Sequence, residues 1–267
     1  MKIGIMGAMP QEVDSILSHM TDVQTIEYGS RTYHVGKMNS HDVVLVFSRW
    51  GKVAAATTAT SLVTEFKVDQ LIFTGVAGAS APTLNIGDIV ISSQLYQHDM
   101  DARPLMPRHE IPLTGITFFR ADTALVRRAQ AATRGLLATL SQKIPAEELA
   151  AFNITQPKCI LGTIATGDQF IGDADRTGAI MAEKPETAAV EMEGAAVAQV
   201  CTDYEIPFVV IRTISDKADH QSAIDFPRFV DKIARHYAEH IVTGMISNMR
   251  VDAEDEAEIA NSSTSVM

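Results

Sequence analysis

Four carboxylates follow apolar stretches of the chain at points where the sequence turns polar or glycine-rich: Glu12, Glu191, Glu193 and Asp216. Two acids directly after the apolar residues 188–190 are costly to bury unless they have a task. Carboxylates from separate strand ends suit acid–base work on an uncharged small molecule. In glycosidic bond cleavage, for example, one acid protonates the leaving group and another activates water. Glu12 and Asp216 also fit a structural role, because a carboxylate is favoured in the first turn of a helix or at its N-cap.

Motifs for other chemistries are missing from the sequence. There is no Gly-Lys-Ser/Thr phosphate loop, no Gly-x-Ser-x-Gly nucleophile elbow, and the spacing of Gly4 and Gly7 is not a dinucleotide fingerprint. Neither Cys159 nor Cys201 has a neighbouring histidine, and His98 lacks a second ligand pair at metal-binding spacing. We therefore predict a site without metal or cofactor.

Segments typical of strands alternate with segments typical of helices. Strands are predicted at 2–6, 31–35, 42–48, 70–74, 88–92 (or 88–97), 160–165, 188–190 and 208–214. Helices are predicted at 11–19, 53–66, 122–137, 194–204 and 226–250, and a short helix or turn at 145–151. Three prolines and no periodicity between Met100 and Thr117 predict a long loop. The alternation predicts an α/β domain whose mixed or parallel sheet is covered on both faces and binds ligands beyond its strand ends.

The composition fits a folded protein that handles small molecules. The 267 residues are 46% hydrophobic with a mean hydropathy of +0.06, which excludes a largely disordered chain. The net charge of -11 argues against a nucleic-acid partner, which would require a basic face. Two cysteines cannot build a disulfide framework, and the N-terminal apolar run is too short for a signal or membrane segment, so we expect a soluble cytoplasmic protein. Residues 251–267 hold five acids and no Lys or Arg, which predicts a disordered tail after a domain of residues 1–250.

Six segments together resemble the 5'-methylthioadenosine/S-adenosylhomocysteine nucleosidases of the purine nucleoside phosphorylase/nucleosidase superfamily. They are KIGIMGAMPQE (2–12), GKVAAA (51–56), TGVAG (74–78), GDQFI (167–171), VEMEG (190–194) and RTISD (212–216). The resemblance runs in order from residue 1 to about Ser247. It implies a single-domain, three-layer α/β fold like that of purine nucleoside phosphorylase, with a central mixed sheet flanked by helices, and a homodimer. The implied reaction is hydrolysis of the N9–ribose bond of 5'-thio-substituted adenosines to adenine and a thioribose.

The resemblance assigns roles to the acids. It implies that Asp216 is the general acid that protonates adenine N7, and that Glu12 orients and deprotonates the attacking water. Glu193 would hold the ribose 2'- and 3'-hydroxyls, with Met192 packed on the sugar and Glu191 as a supporting carboxylate. Negative charge beside the sugar suits a transition state with oxocarbenium character.

Further positions of the resemblance line the substrate pocket. Phe170 would stack on adenine, the Ile171 backbone would hydrogen-bond the purine edge, and Arg212 would support the site. The remaining lining positions are Ala8, Val76, Ala77, Gly78, Ser215 and Phe226. The loop of residues 100–113 would reach across the dimer towards the partner's pocket.

Trp50 departs from the family pattern and is the single tryptophan of the chain. It stands where the resemblance implies a smaller aliphatic residue near the 5'-substituent of the nucleoside. One interpretation is that Trp50 packs on the outer wall of the pocket. Our hypothesis is that it narrows the alkylthio end and penalises S-adenosylhomocysteine relative to methylthioadenosine.

Several alternatives have the same fold or a related one. A purine nucleoside phosphorylase would use phosphate, which the acidic Glu12 would repel from the nucleophile region. A futalosine-type nucleosidase would apply the same chemistry to another nucleoside. A non-catalytic nucleoside-binding protein would not need Glu12 or Asp216, and a dehydrogenase would need the glycine fingerprint that this chain lacks.

Overall fold

The computed structural model describes residues 1–217 and 222–264. The strands in this part of the chain are β1 (Lys2–Gly7), β2 (Thr21–Tyr28), β3 (Arg31–Met38), β4 (His41–Phe47), β5 (Gln70–Ala79), β6 (Ile89–Gln97), β7 (Phe119–Arg120), β8 (Cys159–Thr166), β9 (Thr187–Glu191) and β10 (Phe208–Asp216). The helices are α1 (Pro10–Leu17), α2 (Lys52–Thr64), α3 (Thr123–Ala138), α4 (Leu140–Lys143), α5 (Ala146–Ala151), α6 (Ala174–Glu183), α7 (Gly194–Asp203), α8 (Ser222–Phe229) and α9 (Arg235–Thr264). A π-helical segment, Val230–Ala234, joins the last two helices.

These strands form one mixed sheet. Their order is β10-β6-β8-β9-β5-β1-β4-β3-β2, and β7 pairs with β6. Because β10 pairs in parallel with β5 and antiparallel with β6, the strands β5, β10, β6, β8 and β9 close into a ring. The other strands extend from β5 through β1. The predicted mixed sheet is confirmed, and its closure is a feature that the sequence did not indicate.

The carboxyl-terminal residues of β1, β9 and β10 converge on the second half of β5. Gly7 of β1 lies opposite Thr74 of β5, and Gly78 farther along β5 lies opposite Val190 of β9. On β10, the register against β5 shifts between Ile214 and Asp216, so that one extra residue forms a β-bulge there. Segments from both ends of the chain thus come together along the second half of β5.

Two apolar cores separate the sheet from its helices. On one face, Ile16 of α1, Leu136 of α3 and Ile241 of α9 belong to a single buried cluster. On the other face, Ala59 of α2 and Val197 of α7 belong to a second. All residues of β5 are buried, as expected for a strand covered on both sides. The predicted three-layer α/β architecture is therefore confirmed.

Four elements were missed by the sequence-based assignment, namely β2, β7, α4 and α6, and β5 was placed too short. All eight residues of β2 are exposed, so this edge strand has no buried face to leave a pattern in the sequence. Helix α6 has no buried residues either. Strand β5 continues to Ala79, which puts residues 75–78 inside a strand rather than in a turn after it.

The last helical run begins earlier and ends later than predicted. It starts with α8 at Ser222, and α9 continues to Thr264. The backbone of residues 251–264 is thus helical where we predicted disorder, and residues 265–267 lie outside the described part. The division into a domain of residues 1–250 and a separate tail stays a prediction. Within the described residues, the helices are all too short or too polar to traverse a bilayer.

Candidate active site

A cavity of about 310 Å³ opens along the second half of β5. This volume suits a small-molecule ligand. Most residues predicted for the site line it: Ala8, Trp50, Val76, Ala77, Gly78, Phe170, Ile171, Glu191, Met192, Glu193, Ser215, Asp216 and Phe226. Since the wall is largely apolar, the few carboxylates are the groups that can orient a polar ligand.

Glu191 ends β9 and is engaged in contacts within the protein. Its carboxylate accepts hydrogen bonds from Arg212 Nη2 at 2.6 Å and from the Gly194 backbone N–H at 2.8 Å. The hydroxyl of Thr166 also donates to it. These donors fix Glu191 at the N-terminus of α7, where the helix dipole favours negative charge. Such a carboxylate is suited to support the site rather than to take up ligand hydrogen bonds.

Glu193 borders the cavity two residues later. Its Oε1 accepts a hydrogen bond from the Gly51 backbone N–H at 2.9 Å. Burial, together with the negative charge of Glu191, raises the pKa of Glu193 to about 7, although Arg212 and the Gly51 amide oppose this rise. The two acids that flank Met192 therefore differ, because one is neutralised by Arg212 and the other faces the cavity.

Glu12 lies in the first turn of α1 and is only 1% exposed. Its Oε2 accepts a hydrogen bond from the Met9 backbone N–H at 3.0 Å, as the carboxylate of a capping box does. Burial raises the pKa of Glu12 to about 7 against the opposing charge of Arg212 and the hydrogen bonds from Met9 and Ala8. Glu12 thus caps its helix, and it also has the pKa of a general base that works near neutral pH.

Arg212 is a fully buried cation that acts on all three of these glutamates. Its guanidinium pairs with Glu191 at 2.6 Å and lies 4.1 Å from the centroid of the Phe73 ring. Its charge also lowers the pKa values of the other two glutamates against the effect of burial. Gly75 permits this close packing, since a Cβ there would lie 2.7 Å from Arg212 Nη1. Arg212 therefore offsets the negative charge concentrated in this part of the interior.

Asp216 is the last residue of β10 and is 6% exposed. Successive side chains of a regular strand point to opposite faces, yet both Ser215 and Asp216 line the cavity. The β-bulge at Ser215 explains this, because an extra residue re-aims the side chains beside it. The Ser215 hydroxyl donates to Asp216 Oδ2 at 2.7 Å, which fixes the carboxyl at the cavity wall.

Two aromatic side chains form walls of the cavity while staying accessible. Phe170 is 50% exposed and offers a flat apolar face on which a planar base can stack. Trp50 is 60% exposed, and its indole Nε1–H donates to the Ala8 carbonyl at 3.0 Å. That bond fixes the Trp50 ring at the mouth of the cavity.

The predicted set and the observed lining differ at a few positions. Among the described residues, Glu12 and Arg212 are predicted site residues that do not line the cavity; both are buried and contact lining residues, Glu12 through the Met9 amide and Arg212 through Glu191. Four lining residues were not predicted: Met9, Gln169, Val190 and Pro227. Each is next in sequence to a predicted residue, and for the apolar ones adjacency was the only signal, since an apolar residue has the same pattern in a core as in a pocket wall.

The predicted loop of residues 100–117 is irregular, and its part between 100 and 113 is anchored by His109. His109 Nε2 lies 2.7 Å from Glu183 Oε2 of α6, and its Nδ1 lies 3.2 Å from the Gln97 carbonyl. Leu105 and Leu113 nevertheless stay 85% and 87% exposed.

Comparison with known proteins agrees with this fold. The model of the Phosphorylase superfamily matches residues 2–247. The 5'-methylthioadenosine/S-adenosylhomocysteine nucleosidase of Shewanella denitrificans is 38% identical over 242 residues, which cover 91% of this chain and 97% of the relative. The crystal structure of such a nucleosidase from Colwellia psychrerythraea, in complex with adenine, has a TM-score of 0.80 at 35% identity and covers 92% of this chain and 95% of its own. The futalosine hydrolase of Helicobacter pylori has a TM-score of 0.77 at 31% identity, with 92% and 97% covered.

The fold and the matched region therefore define a member of the phosphorylase superfamily. Within that superfamily, the chain belongs to the family of the 5'-methylthioadenosine/S-adenosylhomocysteine nucleosidases. The predicted family and its three-layer fold are confirmed.

Proposed function

We propose that this chain is a hydrolase that cleaves the N-glycosidic bond of 5'-methylthioadenosine and S-adenosylhomocysteine, giving adenine and the corresponding thioribose. The observation that carries the proposal is the arrangement of acids around one apolar cavity. Asp216 and Glu193 are in its wall, and Glu12 is buried and bonded to the lining residue Met9. The pKa values of Glu12 and Glu193 are raised to about 7, so these carboxyls can change protonation state at neutral pH.

Each acid has one task in the proposed mechanism. Asp216 protonates N7 of adenine, so that the base leaves as a neutral molecule, while ionised Glu12 takes a proton from the water that attacks the anomeric carbon. Ionised Glu193 accepts hydrogen bonds from the ribose hydroxyls, and its charge stabilises the cationic sugar of the transition state. Phe170 stacks on the purine and holds it beside Asp216.

The charges of the site favour water over phosphate as the nucleophile. A phosphate ion would require cationic or hydroxyl donors around it. No Lys or Arg lines the cavity in the described part of the chain. Arg212 is buried and already paired with Glu191 at 2.6 Å.

A futalosine-type nucleoside is the second candidate substrate class. The futalosine hydrolase of Helicobacter pylori is nearly as similar in structure to this chain as the adenine-bound nucleosidase. Both reactions break an N-glycosidic bond, so the same acid and base serve either one.

The test is to incubate the purified protein with methylthioadenosine, S-adenosylhomocysteine and 6-amino-6-deoxyfutalosine in separate phosphate-free reactions and to measure free adenine. We expect adenine from the first two substrates. Asp216→Asn is the matched variant: it should abolish turnover and still bind the nucleoside, since the amide keeps the shape of the carboxyl but cannot donate its proton. Adenine that forms only after phosphate is added, or normal turnover by the variant, would contradict the proposal.

We also propose that the protein acts as a homodimer in the cytoplasm, with the loop of residues 100–113 near the partner's pocket. Exposed apolar side chains support the dimer. Val53 at the start of α2 is 79% exposed, and Leu105 and Leu113 on that loop are 85% and 87% exposed. Supporting the compartment, Cys159 and Cys201 are both free, as is usual under reducing conditions.

A further inference from the structure

Asp168 lies in the segment between β8 and Phe170 and caps a helix to which it does not belong. The first turn of α2 leaves backbone N–H groups without partners inside the helix. Its N-cap residue is Gly51, which has no side chain to supply an acceptor. Asp168 Oδ1 accepts the Lys52 backbone N–H at 2.7 Å and so fills that role from a distant segment.

Gly51 connects this cap to the cavity. Its own backbone N–H donates to Glu193 Oε1 at 2.9 Å. Its φ of +88° is in the left-handed region, and a Cβ at this position would lie 3.1 Å from Asp168 Oδ1. Two successive amides, those of Gly51 and Lys52, are therefore aimed at two different carboxylates, Glu193 and Asp168.

Asp99 and the Lys52 side chain hold Asp168 from its other side. The Asp168 backbone N–H donates to Asp99 Oδ2 at 2.9 Å, and Lys52 Nζ lies 2.7 Å from Asp99 Oδ1. Burial acts to raise the pKa of Asp99, but these two partners outweigh it and hold the pKa below its usual value. The backbone amides of Gly51 and Lys52, neighbours in the chain, therefore connect Glu193 with the segment of residues 167–170, which ends in Phe170.

We propose that Asp168 is a positioning residue that fixes the Gly51 amide against Glu193 and, at the same time, fixes the segment carrying Phe170 over the cavity. The inference rests on the proposed function, because it assigns the ribose to Glu193 and the base to Phe170. Asp168 itself does not line the cavity within the described residues, so it acts only through these neighbours. Asp168 therefore couples the binding of the ribose at Glu193 to the binding of the base at Phe170.

The test compares Asp168→Ala, Asp168→Asn and Asp122→Ala by steady-state kinetics over pH. Asp168→Ala should raise KM roughly tenfold, the size expected for the loss of one hydrogen bond to a charged group. It should also move the acid limb of the kcat/KM profile to higher pH, because a loosened Gly51 amide no longer lowers the pKa of Glu193. Asp168→Asn keeps an acceptor for the Lys52 amide and should therefore keep the KM and the pH profile of the wild type.

Asp122→Ala is the matched control, because Asp122 caps α3 by accepting the Leu125 backbone N–H at 2.8 Å and lies outside the cavity lining. It should lower the thermal midpoint without moving the pH profile. An unshifted profile in Asp168→Ala, or the same shift in Asp122→Ala, would overturn the inference.

A second readout needs no substrate. Trp50 adjoins Gly51 and is the single tryptophan of the chain, so its fluorescence reports on this segment. Asp168→Ala should increase acrylamide quenching of Trp50, and Asp168→Asn and Asp122→Ala should not. Unchanged quenching overturns the positioning role even if the wild type cleaves nucleosides. Altered quenching in Asp168→Ala, together with a wild type that cleaves no nucleoside, would refute the proposed function but support the capping role of Asp168.

Discussion

Burial raises the pKa of both Glu12 and Glu193, although the two carboxyls have different neighbours. Glu12, in the first turn of α1, accepts hydrogen bonds from the backbone N–H groups of Ala8 and Met9. Glu193 accepts one from Gly51 and is repelled by the charge of Glu191. In both residues the cost of desolvating a charge exceeds the stabilisation by Arg212, and each pKa is raised to about 7. A base and a sugar-holding carboxylate with such values ionise close to the pH at which they must work.

A first prediction concerns the pH dependence of catalysis. Both glutamates must be ionised in the proposed mechanism, so log(kcat/KM) should fall below about pH 7 with a slope that approaches two. Glu193→Gln should reduce that slope to one, since only Glu12 then titrates, and Glu12→Gln should lower kcat by roughly 100-fold or more. The measurement is adenine release between about pH 5 and pH 9. A slope that stays the same in Glu193→Gln would argue against the requirement for its charge.

Among the elements, the segment of residues 48–51 between β4 and α2 has the strongest bearing on substrate choice. Trp50 lines the cavity, and its indole N–H is tied to the Ala8 carbonyl at 3.0 Å. The ring is therefore a fixed wall rather than a mobile flap. This position agrees with our hypothesis that Trp50 limits the space for the 5'-substituent.

The second prediction tests that wall. Trp50→Ala should raise kcat/KM for S-adenosylhomocysteine relative to methylthioadenosine by roughly tenfold, because the longer substituent gains room. Trp50→Phe is the control, since it loses the hydrogen bond to Ala8 and keeps most of the ring. We expect its ratio to stay near that of the wild type. Equal ratios in all three proteins would show that Trp50 does not set this preference.

For the whole molecule, the third prediction is that two copies associate. Light scattering should give twice the chain mass of 28.9 kDa. A double variant, Leu105→Glu with Leu113→Glu, should be monomeric and should bind nucleoside more weakly, because charges would replace apolar contacts. Val23→Glu is the control on β2, where Val23 is 39% exposed and lies away from this loop in sequence and sheet order. A double variant that stays dimeric would place the interface elsewhere.

The fourth prediction is a dependence of folding stability on pH. The pKa values of Glu12 and Glu193 rise from 4.5 in the unfolded chain to about 7 in the folded protein. Between those values the folded state binds more protons, so these two groups stabilise the fold at low pH and lose that contribution as the pH rises through the window.

Urea unfolding of the wild type and Glu12→Gln between about pH 5 and pH 7 measures this contribution. The free energy of unfolding should fall less steeply in the variant, by at most about 1.4 kcal/mol per pH unit, the slope for one carboxyl. Parallel curves for the two proteins would mean that Glu12 takes up no extra proton on folding.

The sequence by itself determined the α/β class, most strands and helices, the family, and most of the cavity lining. It could do so because buried strands and helices repeat their apolar residues with a regular period, and because the six site segments are contiguous in the chain. Elements such as β2 and α6 were not predicted, because neither buries a residue that would leave such a pattern.

Only the tertiary structure decided the environment of each acid, and therefore its charge partners and its pKa. The resemblance implied different roles for Glu191 and Glu193, but only the structure shows the contacts behind the difference: Arg212 pairs with Glu191, and the Gly51 amide donates to Glu193. The same holds for Asp168, whose task as a cap depends on a helix about a hundred residues earlier in the chain. Desolvation and hydrogen bonding depend on neighbours that are distant in sequence, and the folding of the chain brings those neighbours together.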